Sequence, residues 1–232
     1  MLKRLPLLFL VASIGLAQSF RVGVEGGVPL TNAFGTRTVG IPGFLPSLPG
    51  SSSYSSAAKR YTVGATAELD LPFHLAVKAD VLYRRLGFGS NSTILVPAGG
   101  GAMTTTSATT ANSWELPLLG KYSVGKLGPL QPYVEGGVAF RALQGVQQTT
   151  VLACPACLTP VHQTTQTNSP SESSHKFTKG ITAGAGLEFR HLLLGVFGEI
   201  RYTRWTADAF SAPDGGLNSL RNQADLLVGV TF

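Results

Sequence analysis

Eight stretches of 11 or 12 residues alternate apolar and polar side chains one by one. A β-strand turns successive side chains to opposite faces, so strict alternation gives a strand with one apolar and one polar face. The stretches are Phe20–Leu30, Arg60–Leu71, Leu75–Leu86, Ser113–Val124, Pro132–Ala142, Lys179–Arg190, Leu194–Trp205 and Arg221–Phe232. Three links are short: Pro72-Phe73-His74, Gly125–Gln131 and His191–Leu193. Four are long: Thr31–Lys59, Gly87–Asn112, Leu143–Thr178 and Thr206–Leu220. Long and short links alternate along the chain. This pattern predicts an all-β fold, an eight-stranded antiparallel up-and-down transmembrane β-barrel with long extracellular loops and short periplasmic turns. A soluble sandwich has no reason to put every long loop at one end.

Charge placement decides which face is which. Nine of the 12 acidic residues lie on the polar faces: Glu25, Glu68, Asp70, Asp80, Glu115, Glu135, Glu188, Glu199 and Asp225. Glu172, Asp208 and Asp214 fall in long loops, and none has the apolar parity. Nine basic residues share the polar faces: Arg21, Arg60, Lys78, Arg84, Lys121, Arg141, Arg190, Arg201 and Arg221. Such balance suits a lumen in which charges pair, because an unpaired buried charge costs several kcal/mol. Glu25, Glu135, Glu188 and Glu199 are expected inside, with Arg21, Arg141, Arg190 and Arg201 available as partners. The apolar faces then meet lipid. Arg85 and Arg204 share the apolar parity, both at the loop end, where a charge costs about 0–1 kcal/mol. Tyr61, Tyr83, Trp114, Phe140 and Tyr202 cluster near the long-loop end. Phe20, Tyr122, Phe189 and Phe232 cluster near the short-turn end, giving two aromatic girdles.

Composition removes the competing classes. Only 13% of the 232 residues are charged, against about 25% in an average globular protein. The longest apolar run, Leu5–Ala17, is too short for a membrane helix, which needs about 20 residues. With Lys3 and Arg4 before it and Gly15-Leu16-Ala17 at its end, that run reads as a secretory leader. Residues 1–17 are therefore expected to be a cleaved signal peptide and 18–232 the barrel domain. The formal charge of +6, two of which belong to the leader, does not argue for nucleic acid.

The leader, the eight alternating stretches and the terminal Val228-Gly229-Val230-Thr231-Phe232 resemble small bacterial outer-membrane barrels of the OmpA/OmpX type. The likeness is greatest to the outer-membrane β-barrel domain family, and it covers the whole mature chain. It rests on pattern, not on a chemical motif. It implies residence in the outer membrane of a Gram-negative cell envelope after secretion through the inner membrane, with outer-membrane lipid and the barrel-assembly machinery as partners. In such proteins a terminal Phe is part of the assembly signal, a role that falls here on Phe232. Nothing follows Phe232, so the peptidoglycan-binding domain of larger relatives is not expected.

Few residues could carry other chemistry. Cys154-Pro155-Ala156-Cys157 lies in the third long loop, where an oxidising compartment favours a local disulfide over redox turnover. A zinc site with His162 and His175 fits no common spacing, and the Thr/Gln/Ser run between them looks disordered. The four His, at 74, 162, 175 and 191, fall in turns or loops, and none pairs with a Ser on a lipid-facing strand. Val24-Glu25-Gly26-Gly27-Val28 recurs as Val134-Glu135-Gly136-Gly137-Val138, a generic way to leave room for an inward Glu. No catalytic residue, cofactor or metal is expected. The lumen set is Arg21, Glu25, Glu68, Lys78, Asp80, Arg84, Glu115, Lys121, Glu135, Arg141, Glu188, Arg190, Glu199, Arg201 and Asp225. The expected role is a non-enzymatic surface or envelope barrel that binds an extracellular ligand through loops 31–59 and 143–178. The alternative is a narrow, porin-like channel for small solutes along the inward glycines.

Overall fold

The computed structural model describes residues 19–42, 50–96, 101–125, 127–191 and 194–232. The leader expected at 1–17 lies outside the described residues. Every regular element among those residues is a strand: β1 (Phe20–Pro29), β2 (Phe34–Thr36), β3 (Thr38–Ile41), β4 (Gly50–Ser56), β5 (Thr62–Asp70), β6 (Leu75–Leu95), β7 (Ala102–Ser123), β8 (Leu130–Cys154), β9 (Val161–Thr167), β10 (Phe177–His191), β11 (Leu194–Trp205), β12 (Leu217–Ser219) and β13 (Asn222–Thr231).

Eight of them close into a ring in chain order, β1-β5-β6-β7-β8-β10-β11-β13, each antiparallel to its neighbours. The seam joins β1 to β13, with Glu25 opposite Gly229. Closure leaves no unpaired edge within the ring, which a sheet in lipid requires.

Burial is inverted relative to a soluble protein. Val24 is 61% exposed and Ile181 70%, whereas Asp80 is 0% exposed and Lys78 2%. The apolar parity points outward on all eight strands and the charged parity inward. Water would penalise this surface and a bilayer stabilises it, at roughly 25 cal/mol per Å² of apolar area.

The long connections are more ordered than the alternation implies. Strands β6, β7 and β8 run 21, 22 and 25 residues, about twice what a crossing needs. Beyond the barrel they continue as a sheet roughly 30 Å long, extended by β4 and β3 on one side and β9 on the other. A register shift between Thr110 and Asn112 marks the passage from barrel to sheet, and Gly145 supplies a left-handed φ of 57° on β8 beside it. The Thr/Gln run expected to be disordered is β9, paired residue for residue with β8 from Cys154–Val161 to Gln148–Thr167. The reason is local: Thr is β-branched, and the facing strand Gln147–Cys154 offers a free ladder. His162 and His191 accordingly lie on strands.

Candidate functional site: a charged lumen under a sealed mouth

The inward charges form three separate layers. Nearest the short turns, Arg21, Lys121 and Arg190 face Glu68, Asp70 and Glu188. Glu188 alone receives Arg21 Nη1 at 2.8 Å, Lys121 Nζ at 2.7 Å and Arg190 Nε at 2.6 Å. Three cations balance three carboxylates. Toward the long-connection end, Arg84 Nη2 donates to Asp225 at 2.5 Å, and Arg141 Nη2 to Glu115 at 3.1 Å. Gln223 Oε1 accepts from Arg141 and from Trp205 Nε1, and the guanidinium lies 3.8 Å from the Trp205 ring centre. This layer balances too.

The middle layer does not. Lys78 Nζ stands within 4 Å of four carboxylates: Glu199 at 3.0 Å, Glu25 at 3.5 Å, Glu135 at 3.8 Å and Asp80 at 3.9 Å. Arg201 is the other cation, on Asp80 at 2.8 Å, on Glu135 at 3.1 Å and on Glu199. Tyr133 donates to Glu199 Oε2 at 2.6 Å, and Lys78 also sits 4.4 Å from the Phe197 ring centre. Two cations thus serve four acids. The equal tally of acids and bases expected for the lumen therefore needs correcting. Arg60 and Arg221 lie at strand ends and are exposed, Arg221 pairing with Asp208 at 2.9 Å. Of the expected partners, Arg21 and Arg190 hold Glu188, and Arg201 holds Glu135 and Glu199, whereas Glu25 sits beside Lys78 and Arg141 holds Glu115.

Inward glycines do not line a path. A Cβ on Gly184 would lie 3.0 Å from Glu135 Oε1, and one on Gly186 would lie 2.6 Å from the Tyr133 ring. Their missing side chains make room for those two residues. At the short-turn mouth a cavity of about 540 Å³ includes Ser19, His74, Asp70 and Arg190 in its wall, the last two belonging to the first charged layer.

At the opposite mouth lies an apolar cluster that the alternation did not reveal. Phe34, Leu86, Phe88, Leu143, Val146, Phe210 and Leu217 are all buried in it. Phe34, Phe88 and Phe210 pack edge to face, with centroids 5.4–5.9 Å apart. The cluster is assembled from the long connections: β2 pairs with β12 across it. Tyr54 on β4 packs against its edge and donates to Asp214 at 2.9 Å. Burial and that carboxylate push the Tyr54 hydroxyl up to about 12. The only sequence signal for this cap was that Leu86, Phe88 and Phe210 sit at positions not assigned to lipid.

Above the cap, largely polar rows cross the outer sheet. One runs Ser53–Asn91–Thr106–Val151–Thr164 over five strands, polar at every position but Val151. Among the described residues β9 pairs with β8 alone. Cys154 and Cys157 are joined at the tip, Cα atoms 5.5 Å apart. His175 Nδ1 contacts Asp208 O at 2.9 Å, and no metal-binding group occurs among the described residues.

A closed antiparallel ring, apolar outside and ion-paired inside, defines a membrane-spanning β-barrel. The chain belongs to the family described as outer membrane protein beta-barrel domain, whose model matches residues 16–204. Its site of residence is thus the outer membrane, and its short turns face the periplasm. Among solved structures it is similar to Neisserial surface protein A, with 11% identity over 93% of this chain and 97% of that one, at a TM-score of 0.42. It is also similar to Ail, the attachment invasion locus protein of Yersinia pestis, with 8% identity, 93% and 97% coverage and a TM-score of 0.37. A third is the translocator domain of the autotransporter NalP from Neisseria meningitidis, with 12% identity, 96% and 92% coverage and a TM-score of 0.30. No curated protein matches the chain.

Proposed function

We propose that this protein is a non-enzymatic outer-membrane barrel, closed to solutes, whose outer β-sheet is a binding surface for an extracellular partner. One observation carries the reading: the buried Phe34–Phe88–Phe210 cluster packs over the outer mouth while β6–β9 continue beyond it as a sheet. Eight strands enclose room for side chains and little more. Three charged layers occupy that room, so a solute would have to displace paired, buried groups. The outer sheet is unconstrained by lipid and has the sequence freedom that binding surfaces use. Cys154–Cys157 clips its tip. The leader at 1–17 belongs to the same reading, with export preceding insertion.

Replacing Val151–Thr164 by Asn-Gly tests the proposal. Thr150 pairs with Thr165, so a two-residue turn closes the shortened hairpin without touching the cap. The variant is expected to insert normally and to lose adhesion of displaying bacteria to surfaces that the wild type binds. In planar bilayers neither protein should conduct. Discrete conductance steps from the wild type would support the channel reading instead.

A further inference from the structure

The charges that lie outside the lumen are distributed unevenly. All 12 acidic residues are among the described residues, and nine of them face the lumen. Six exposed cations ring the outer end of the barrel: Lys59, Arg60, Arg85, Lys176, Lys179 and Arg204. None of the six forms an ion pair within 4 Å, whereas their neighbour Arg221 does, with Asp208.

Two pairs within this ring are close. Lys59 N, in the link between β4 and β5, donates to Arg85 O of β6 at 3.0 Å, so the two cations sit opposite one another. Arg85 is two residues beyond Tyr83, on the same lipid-facing parity. Like charges directly opposite on a ladder destabilise it. On the far side of the ring, Arg204 faces Ile181 and Thr206 N donates to Lys179 O, which makes Lys179 the diagonal neighbour of Arg204. The first pair joins the link that leads into β5 to β6, and the second lies on β10/β11, on the opposite side of the ring of eight. Both continue outward from the aromatic girdle: Tyr83 and Trp114 pack at a tilt, ring centroids 5.1 Å apart, below the first, and Tyr202 precedes Arg204 by two residues. The order along the outer wall is thus apolar band, aromatic belt, unpaired cation pair. This matches the depth profile of an amphiphile with acyl chains and a phosphate head.

We propose that Lys59–Arg85 and Lys179–Arg204 are two lipid-phosphate sites, each holding the anionic head of a phosphate-bearing lipid of the outer leaflet. The phosphate supplies the counter-charge that the chain omits at this rim, and its oxygens accept from both side chains at once. The proposal is independent of what the outer sheet binds.

The two tryptophans make the first site readable. Trp114 faces lipid beside Arg85, whereas Trp205 is buried, 2% exposed. The full chain is refolded into phosphatidylcholine vesicles carrying a small fraction of either brominated phosphatidic acid or brominated phosphatidylcholine. Quenching of Trp114 by the brominated phosphatidic acid should exceed that by the brominated phosphatidylcholine at equal mole fraction, reporting several-fold local enrichment. Raising the salt should shrink the excess. K59Q/R85Q should abolish it, and K179Q/R204Q, across the barrel, should leave it in place. Equal quenching by the two lipids in the wild type overturns the proposal. So does an excess that survives K59Q/R85Q, or one lost equally in K179Q/R204Q, since the latter reflects net charge and not a site.

Discussion

Lys78 and Glu25 face each other across the lumen, Nζ to Oε2 3.5 Å, and Glu25 receives no hydrogen bond from any described residue. Glu25 is the most weakly held of the four carboxylates that share Lys78 and Arg201. The middle layer therefore has more acid than its cations can hold, and the layer nearest the short turns does not.

Neutralising the two layers should have opposite consequences. E25Q removes a surplus charge and leaves an amide that can donate to the crowded oxygens around it, so stability should stay level or rise. E188Q takes away the common partner of Arg21, Lys121 and Arg190 and should cost about 3–5 kcal/mol. Urea midpoints of the two variants refolded in lipid decide this, and a large loss for E25Q would show that its charge is required.

The β5–β6 turn carries local strain. Phe73 and His74 have φ of 65° and 64°, a pair of left-handed conformations that a two-residue type I′ turn demands and that Asn-Gly adopts readily. F73N/H74G should stabilise the barrel by about 1–2 kcal/mol with an unchanged denaturant slope. A loss of stability would mean that the exposed Phe73 ring makes a contact with the membrane interface worth more than the strain.

Phe88 lies at the centre of the cap. F88A should cost about 3–5 kcal/mol, because the Phe34 and Phe210 rings both lose their partner. It should still not conduct in planar bilayers, since Arg84–Asp225 and Arg141–Glu115 close the lumen beneath. Conductance in F88A would make the cap alone the barrier and the charged layers permeable.

Period two made the barrel legible. Glu25, Glu135 and Glu199 share a parity with Lys78 and Arg201 that any reader can count, and the eight crossings need no long-range information. What alternation cannot encode is which inward residues meet. Lys121 reaches Glu68 and Glu188, 53 and 67 positions away, because ring closure and strand tilt decide height in the lumen. The outer sheet escaped for a different reason. Residues 87–112 hold no charge, so polar and apolar faces there differ too little for the pattern to announce a strand, yet Ser and Thr pair along it without interruption. The cap was hidden because Phe34, Phe88 and Phe210 come from three separate connections, and only their packing makes them a cluster.

Phe232 closes the seam with two backbone hydrogen bonds, its N donating to Val22 O at 2.8 Å and its O accepting from Val22 N at 3.3 Å, while its ring is 62% exposed on the lipid side of the short-turn rim. Backbone and ring can be separated by experiment. Deleting Phe232 removes both, whereas F232A keeps the hydrogen bonds and loses the ring. If the ring is what the assembly machinery reads, both variants should show reduced heat-modifiable protein in the outer membrane of living cells. Purified F232A, refolded without any machinery, should then match the wild type within about 1 kcal/mol, because an exposed ring at the rim contributes little to the folded barrel. Normal abundance of F232A beside a depleted deletion variant would assign Phe232 to closing β1 on β13 and remove it as an assembly signal.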